Sequence, residues 1–148
     1  MKLTAIHKQL LSKIYDTMTE EELNEIGDFA STSQQDNFVF LRIAVRNHEP
    51  AGFILLERDF SDARSRSVGT IIGVVQKFRG TDVSTELINS ANVFFANSDL
   101  EQWCYIVNTS NVASQKFAKK HGFTFAWDHS SKENYEVYLK TNPTLFWR

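Results

Sequence analysis

The spacing of hydrophobic and polar residues changes partway along the chain. Near the N-terminus, apolar residues recur every three or four positions, which is the period of an amphipathic helix. They are Leu10, Leu11, Ile14, Tyr15 and Met18. The segment Thr19-Glu20-Glu21-Glu22 has the pattern of a capping box and predicts the start of a second helix carrying Leu23 and Ile26. Residues 1–6 are expected to add a short strand before both helices.

After a polar stretch at residues 31–37, the pattern becomes that of β-strands. Residues 38–45 are rich in β-branched and aromatic side chains, and residues 51–57 form a second apolar run. The turn signals at residues 46–50 predict that these two strands pair as a hairpin. After a polar loop, the apolar run at residues 68–75 predicts a buried strand.

Strands and helices alternate in the rest of the chain. A helix is predicted from the spacing of Val83, Leu87, Ile88, Ala91, Phe94 and Phe95. It is followed by a strand at 102–107, a helix at 111–121 ended by Gly122, and two strands at 123–127 and 135–140. This order predicts one α/β domain over residues 1–148, with a mixed, mostly antiparallel central sheet and helices on both faces.

Composition narrows the class of protein. The 148 residues are 42% hydrophobic and 23% charged, as in an ordinary soluble globule, and 13% aromatic, which suggests a thick core or an apolar contact surface. The net charge of −2 argues against partners such as nucleic acid or an anionic membrane. A single cysteine excludes an internal disulfide, and no apolar run reaches the length of about 20 residues that a membrane helix needs. We therefore expect a cytoplasmic protein.

The most informative stretch follows the strand at residues 68–75. A strand, a short turn and then the N-terminus of a helix present free backbone N–H groups and the positive end of the helix dipole. Such a corner binds anions, so we expect it to hold a phosphate-bearing cofactor. The residues in this corner are Arg79, Gly80, Thr81, Asp82, Val83 and Ser84.

Two segments of the chain resemble the GNAT acyltransferase superfamily. Residues 74–84, Val-Val-Gln-Lys-Phe-Arg-Gly-Thr-Asp-Val-Ser, look like the family's pyrophosphate loop, a strand followed by R/Q-x-x-G-x-G/A. Residues 107–123 look like its second signature, in which V-x-x-x-N is followed by a helix and K-x-G-F. The resemblance covers residues 38–140, including the order of elements, and implies a GNAT-like fold.

The resemblance implies an acyl-CoA-dependent N-acyltransferase that uses acetyl-CoA as the acyl donor. An amine, on a small molecule, a peptide or a sugar, would attack the thioester directly in a ternary complex. The N–H of Val74 would polarise the thioester oxygen, and Asn111 would hydrogen-bond the pantetheine arm between the strand ending near Val75 and the strand at residues 103–107. Asn111 also has the alternative role of a plain helix N-cap.

Three positions depart from the family pattern. When the loop is aligned on Arg79, the two motif glycines fall at Asp82 and Ser84, and a carboxylate beside a diphosphate repels it. Thr81 and Asp82 have the alternative role of capping the helix. The tyrosine that protonates the leaving thiolate in many relatives aligns with Ala118, which has no hydroxyl. These departures support a second hypothesis, a non-catalytic binding module with a degenerate CoA site.

Two candidate catalytic residues remain. Tyr105 lies on the strand that would flank the thioester and could replace the missing acid, although a packed core tyrosine is the common alternative. Glu57, at the end of a strand, is a candidate general base, with an ordinary exposed carboxylate as the favoured alternative. Cys104 shows no grouping with histidine and acid, so a structural cysteine is the simpler interpretation.

The remaining charged and aromatic residues carry weaker expectations. The four histidines show no metal-ligand spacing, and no metal is predicted; they are His7, His48, His121 and His129. Lys77 and the three lysines of the helix at 111–121 could meet CoA phosphates, but those three more simply form a solvated face. The aromatic tail at residues 144–148 is expected to pack on the core, to fray, or to join a homodimer contact.

Overall fold

The computed structural model describes residues 1–26, 37–58, 66–128 and 133–144. Its four helices in these ranges are α1 (Ala5–Tyr15), α2 (Glu20–Ile26), α3 (Val83–Ala96) and α4 (Val112–Lys120). Its six strands in the same ranges are β1 (Phe38–Arg46), β2 (Glu49–Arg58), β3 (Ser67–Val74), β4 (Gln102–Asn108), β5 (Thr124–Asp128) and β6 (Tyr135–Thr141).

The strands form one mixed sheet in the order β1-β2-β3-β4-β6-β5. The pairs β1–β2, β4–β6 and β5–β6 are antiparallel, whereas β3 and β4 are parallel. The β3–β4 register covers three pairs, from Ser67 with Gln102 to Gly69 with Cys104. The predicted α/β class, with a mostly antiparallel sheet and helices, is confirmed.

The chain divides into two compact units, each built from separate segments. One comprises Met1–Glu57 and Ile71–Phe94, and the other comprises Arg58–Thr70 and Phe95–Arg148. Whether they act as the single predicted domain stays a prediction.

The first unit covers β2 with helices on both of its faces. All residues from Ala51 to Leu56 are buried, as expected for a strand that is covered on both faces. On one face, Phe53 and Leu55 share a core cluster with Leu11 and Ile14 of α1. Because successive strand residues point to opposite faces, Gly52 lies on the other face, where Val83 and Leu87 of α3 approach it.

The second unit is built around Trp103 of β4. Its indole packs against Phe95 and Phe123 with ring centroids 5.5 and 4.9 Å apart, and it is fully buried. Asn142, also fully buried, donates its side-chain amide to the carbonyl oxygens of Phe95 and Leu100, each at 2.8 Å. This amide therefore ties the end of β6 to the segment between α3 and β4.

One predicted element is wrong. Residues 1–6 do not form a strand, because Ala5 already begins α1. The Thr4 side chain accepts from the His7 N–H at 3.1 Å, and the His7 ring accepts from the Thr4 N–H at 3.3 Å. This capping box begins the helix where the hydrophobic pattern alone suggested extended chain.

Some predictions fall outside the described residues. They concern most of the polar stretch at 31–37, the loop at 60–65, most of the loop at 128–133, His129 and the tail beyond residue 144. Among the described helices, none combines the length and the apolar character required to cross a bilayer.

Candidate CoA-binding and catalytic site

The predicted anion corner lies at the end of β3 in the first unit. The strand ends at Val74, a 3₁₀ turn covers Gln76–Phe78, and α3 begins at Val83. Gly80 has a φ of 77°, a conformation that favours glycine and turns the chain into the helix. The local sequence thus forms the strand–turn–helix corner that its pattern predicts.

The corner presents backbone N–H groups that lack acceptors. Within the described ranges, no acceptor takes the N–H of Gly80, Asp82, Ser84 or Thr85. The first hydrogen bond of the helix runs from the Glu86 N–H to the Asp82 carbonyl at 2.9 Å. Free N–H groups at the positive end of a helix form the donor set that a phosphate group requires.

The Asp82 carboxylate does not occupy these donors. Its Oδ1 atom accepts from Nη2 of Arg46 at 3.3 Å, and the same nitrogen lies 3.4 Å from Oε1 of Glu86. No described backbone N–H donates to the Asp82 side chain, so the predicted alternative of an Asp82 side-chain cap is not what the structure shows. Thr81 provides the weaker local contact, with Oγ1 at 3.5 Å from the Val83 N–H.

The cationic side chains of the corner already have acidic partners. Arg79 donates to Glu22, the last residue of the α2 capping box, and to the Val74 carbonyl at 3.1 Å. Lys77 pairs with Glu49. Both ion pairs are substantially exposed, and exposed pairs contribute little free energy, so an anionic ligand could displace either carboxylate.

Glu57 and Val74 are not brought together. The Val75 N–H donates to the Ala51 carbonyl at 2.8 Å, which places the start of β2 beside the end of β3. Glu57 lies six residues beyond Ala51, and at the rise of a β-strand that is about 20 Å. The carboxyl of Glu57 is half-buried rather than exposed, and burial raises its pKa.

Tyr105, in the second unit, lies against α4. Its side chain is buried, and its ring packs against Phe117 and Phe123 with centroids 6.4 and 5.6 Å away. Burial raises the pKa of Tyr105, and a hydrogen bond with the Ser114 side chain partly opposes this shift. The phenol therefore keeps its proton at neutral pH, as a proton donor must.

Ala118 lies at the helix position where the resemblance implies an acid. Its methyl group is buried in α4, one helical turn after Ser114. Residues four apart share one face of a helix, so Ser114, which opposes the pKa shift of Tyr105, lies on the same face of α4 as Ala118.

Asn111 is the N-cap of α4, as one of its two predicted roles requires. Its Oδ1 atom accepts from the Ser114 N–H at 3.0 Å. The side chain is exposed, and the cap leaves the Nδ2 donors available. The contact with a pantetheine arm stays a prediction.

The other candidates take ordinary structural positions. Cys104 is half-buried on β4, and its carbonyl accepts from the Thr70 hydroxyl at 2.9 Å. The α4 lysines, Lys116, Lys119 and Lys120, are exposed, in agreement with a solvated face. Among the described residues, no group of three histidine, cysteine, aspartate or glutamate side chains is arranged to hold a metal ion.

Sequence reasoning missed Arg46. It lies in a segment predicted only as a turn, and its partner Asp82 is 36 positions away. An opposite charge at a distant position in the sequence does not by itself predict an ion pair. Only the hairpin register between β1 and β2, which pairs Arg46 with Glu49, brings the guanidinium to the corner.

Comparisons with known proteins identify the family of the chain. The family described as "Acetyltransferase (GNAT) family" matches residues 5–123. The sequence comparison with curated proteins found no match.

Several solved structures share the fold. The GNAT domain of PAT from S. lividans has a TM-score of 0.74 at 13% identity, over 95% of this chain and 88% of that one. The PaiA N-acetyltransferase of Thermoplasma acidophilum, solved in complex with coenzyme A, has a TM-score of 0.69 at 12% identity, over 95% and 96%. The ribosomal-protein-S18-alanine N-acetyltransferase of Escherichia coli has a TM-score of 0.68 at 11% identity, over 96% and 92%.

At these identities the structural matches show the fold, whereas the sequence match shows the family. That match includes every residue predicted here for the cofactor and for catalysis, from Glu57 to Asn111. The chain belongs to the GNAT acetyltransferase family.

Proposed function

We propose that this protein is an acyl-CoA-dependent N-acyltransferase that transfers an acetyl group from acetyl-CoA to an amine. The observation that carries the proposal is the set of free N–H groups at Gly80, Asp82, Ser84 and Thr85. Membership of the GNAT family supports the same assignment, and so does the coenzyme A complex of PaiA.

The diphosphate of acetyl-CoA would bind at residues 79–84. The N–H groups of Gly80 and Ser84 would donate to its oxygens, with added attraction from the α3 dipole. The open space around Gly80, where an added Cβ would meet no atom within 4 Å, leaves room for a ligand. Arg79 would shift its guanidinium from Glu22 toward the phosphates on binding.

Transfer would be a direct displacement in a ternary complex. The amine nitrogen attacks the thioester carbonyl, a C–N bond forms, the C–S bond breaks, and CoA leaves as a thiolate that takes up a proton. The Val74 N–H would stabilise the developing oxyanion, and the Tyr105 hydroxyl would supply the proton. The placement of Glu57 favours its alternative role as a strand-end carboxylate, because about 20 Å of strand separates it from the level of Val75.

Calorimetry with the purified protein tests the cofactor assignment. We expect saturable binding of CoA and acetyl-CoA, and release of free CoA thiol when amines are added with acetyl-CoA. A panel of small amines, amino sugars and peptides with free N-termini identifies the acceptor class. Absence of binding at about millimolar ligand, near the upper end of ordinary substrate affinities, would refute the proposal.

The second candidate is a non-catalytic binding module that keeps the fold but has lost the ability to bind CoA. It is supported by the buried Ala118 in place of an acid and by the acidic partners of Lys77 and Arg79. Asp82→Gly separates the two candidates. For the enzyme, removing a carboxylate beside the diphosphate should tighten CoA binding, whereas for the module it should leave binding undetectable.

A further inference from the structure

We infer that Arg46 is a positioning residue for the diphosphate, which holds the Asp82 carboxylate away from the N–H groups that bind it. This inference rests on the proposed function, because it concerns the same anion corner. It assigns a role to a residue outside the loop motif, in a hairpin that carries no family signature.

The first step concerns what Asp82 would otherwise do. Asp82 immediately precedes α3 and its carbonyl accepts the first helical hydrogen bond, which makes it the N-cap residue. An aspartate in this place ordinarily accepts from the N–H groups two or three residues later. Those groups belong to Ser84 and Thr85, and both lack an acceptor in the described part of the chain. The ordinary cap would therefore occupy the donors that a diphosphate needs.

The second step is the competing contact. Nη2 of Arg46 lies 3.3 Å from Asp82 and 3.4 Å from Glu86, so one nitrogen bridges two carboxylates one helical turn apart. The Arg46 side chain is 26% exposed, whereas that of Asp82 is 80% exposed. The pair thus draws the carboxylate into solvent and reduces the negative charge at the start of α3.

The third step is the anchoring of Arg46 itself. Asn47 and His48 have φ angles of 51° and 64°, which are the two positive values of a tight hairpin turn. Arg46 pairs with Glu49 across this turn, and its Nη1 atom donates to the Val45 carbonyl at 3.0 Å. The hairpin therefore fixes the guanidinium in place before any ligand binds, as a positioning residue requires.

The test compares binding of CoA and dephospho-CoA to the wild-type protein, Arg46→Ala, Arg46→Lys, Asp82→Asn and the double variant Arg46→Ala/Asp82→Asn. Both ligands carry the diphosphate, but only CoA has the 3′-phosphate. Arg66→Ala is the matched control, because it removes an arginine from another exposed ion pair, with Glu101. Circular dichroism and thermal unfolding verify that each variant folds.

We expect Arg46→Ala to weaken the binding of both ligands by about tenfold, which is the scale of one close charge interaction in a partly solvated site. Arg46→Lys should keep most of the affinity, and Arg66→Ala should change nothing. The double variant should bind both ligands about as well as Asp82→Asn alone, because without the carboxylate there is no charge for Arg46 to hold away from the N–H groups.

Three results would overturn the inference. Unchanged affinity in Arg46→Ala would show that Asp82 does not compete with the ligand. Loss that Asp82→Asn fails to rescue, or loss confined to CoA, would show a direct contact between Arg46 and the ligand. These results leave the proposed function intact, whereas failure of the wild-type protein to bind either ligand overturns the proposed function together with the inference.

Discussion

At the scale of single residues, burial shifts the pKa values of Tyr105 and His121 toward their uncharged forms. Burial raises the pKa of Tyr105, so its phenol remains neutral. For His121, burial first and then the charges of Lys120 and Lys140 lower the pKa. Its Nε2 atom is buried without a hydrogen-bond partner among the described residues, and its ring packs against Phe117 at 4.6 Å. In both groups the shift favours the uncharged form.

Tyr105→Phe should lower the turnover number by about a hundredfold, the lower end of the contribution of a general acid, while CoA affinity changes little. Steady-state kinetics and calorimetry measure the two quantities separately. Ser114→Ala is the control, because it removes the hydrogen-bond partner of the phenol but keeps the proton donor. Equal turnover in Tyr105→Phe and the wild-type protein would assign Tyr105 to the core alone.

His121 should make stability depend on pH on the acid side. Because its folded pKa lies below the unfolded value near 6.5, the unfolded chain binds the proton more tightly, and stability falls as pH drops through that value. We expect the loss of unfolding free energy between about pH 7 and pH 5 to be smaller in His121→Asn. Urea unfolding at a series of pH values measures this slope, which would be identical in both proteins if the ring titrated normally.

At the scale of elements, short-range capping decides where helices begin. Thr19 and Glu22 form a second capping box, in which the Glu22 N–H donates to the Thr19 hydroxyl at 3.2 Å and the Thr19 N–H donates to the Glu22 carboxylate at 3.4 Å. The same carboxylate accepts from Arg79. The cap of α2 thus also contacts the anion corner, so one local motif serves two purposes.

Asn111→Ala should reduce the unfolding free energy by about 1 kcal/mol, the usual cost of losing an N-cap. Asn111→Ser keeps an acceptor for the Ser114 N–H but removes the amide donors. If Asn111 also binds pantetheine, both variants should lose CoA affinity while only the alanine variant loses stability. Unchanged affinity in both would leave Asn111 with the capping role alone.

Gly52→Ala should destabilise the protein by about 1–3 kcal/mol, because the atom nearest to the added Cβ is a backbone oxygen, which cannot move aside as a side chain can. The added Cβ would lie 2.8 Å from the carbonyl oxygen of Gly73 and 3.2 Å from Val83. Gly80→Ala is the comparison, since it strains a positive φ but meets no atom within 4 Å. Thermal unfolding measures the stability of both variants. We expect a steric loss of stability only in Gly52→Ala, whereas any loss in Gly80→Ala comes from the strained φ angle.

At the scale of the whole molecule, segments that are distant in the sequence are joined by contacts that local sequence patterns do not predict. Asn142 is the clearest case in the second unit. Besides the hydrogen bonds that its amide donates, its Oδ1 atom accepts from the Thr144 N–H at 3.2 Å and from the Thr144 hydroxyl at 2.8 Å. A buried polar side chain with all of these partners stabilises one specific arrangement of segments.

Asn142→Ala should lower the unfolding free energy by about 1–3 kcal/mol, since it leaves the Phe95 and Leu100 carbonyls buried without a donor. Asn142→Asp should be at least as damaging, because it replaces the donating amide with a carboxylate facing the same oxygens. Chemical denaturation measures both. Wild-type stability in the alanine variant would mean that water replaces the amide.

Much of the fold could be predicted because its causes are local. Hydrophobic patterns, one capping box and the turn and helix-end signals together located all four helices and six strands of the described chain. Asn47-His48 and Gly122 lie where the turn and helix-end signals placed them. The exception is the expected strand at residues 1–6. This segment has too few apolar residues to show a period, and the Thr4 cap begins a helix there instead. The loop motif likewise predicted the anion corner.

By itself, the sequence determined the order of elements and the strand–turn–helix corner formed by residues 79–84, since these depend on neighbours a few positions away. Only the tertiary structure decided which charges act there. The sequence alone left the role of Asp82 open, because its effect depends on whether its carboxylate contacts the helix N–H groups or Arg46. Arg46 reaches it across 36 residues, and electrostatic contacts depend on distance in space, which no local pattern records.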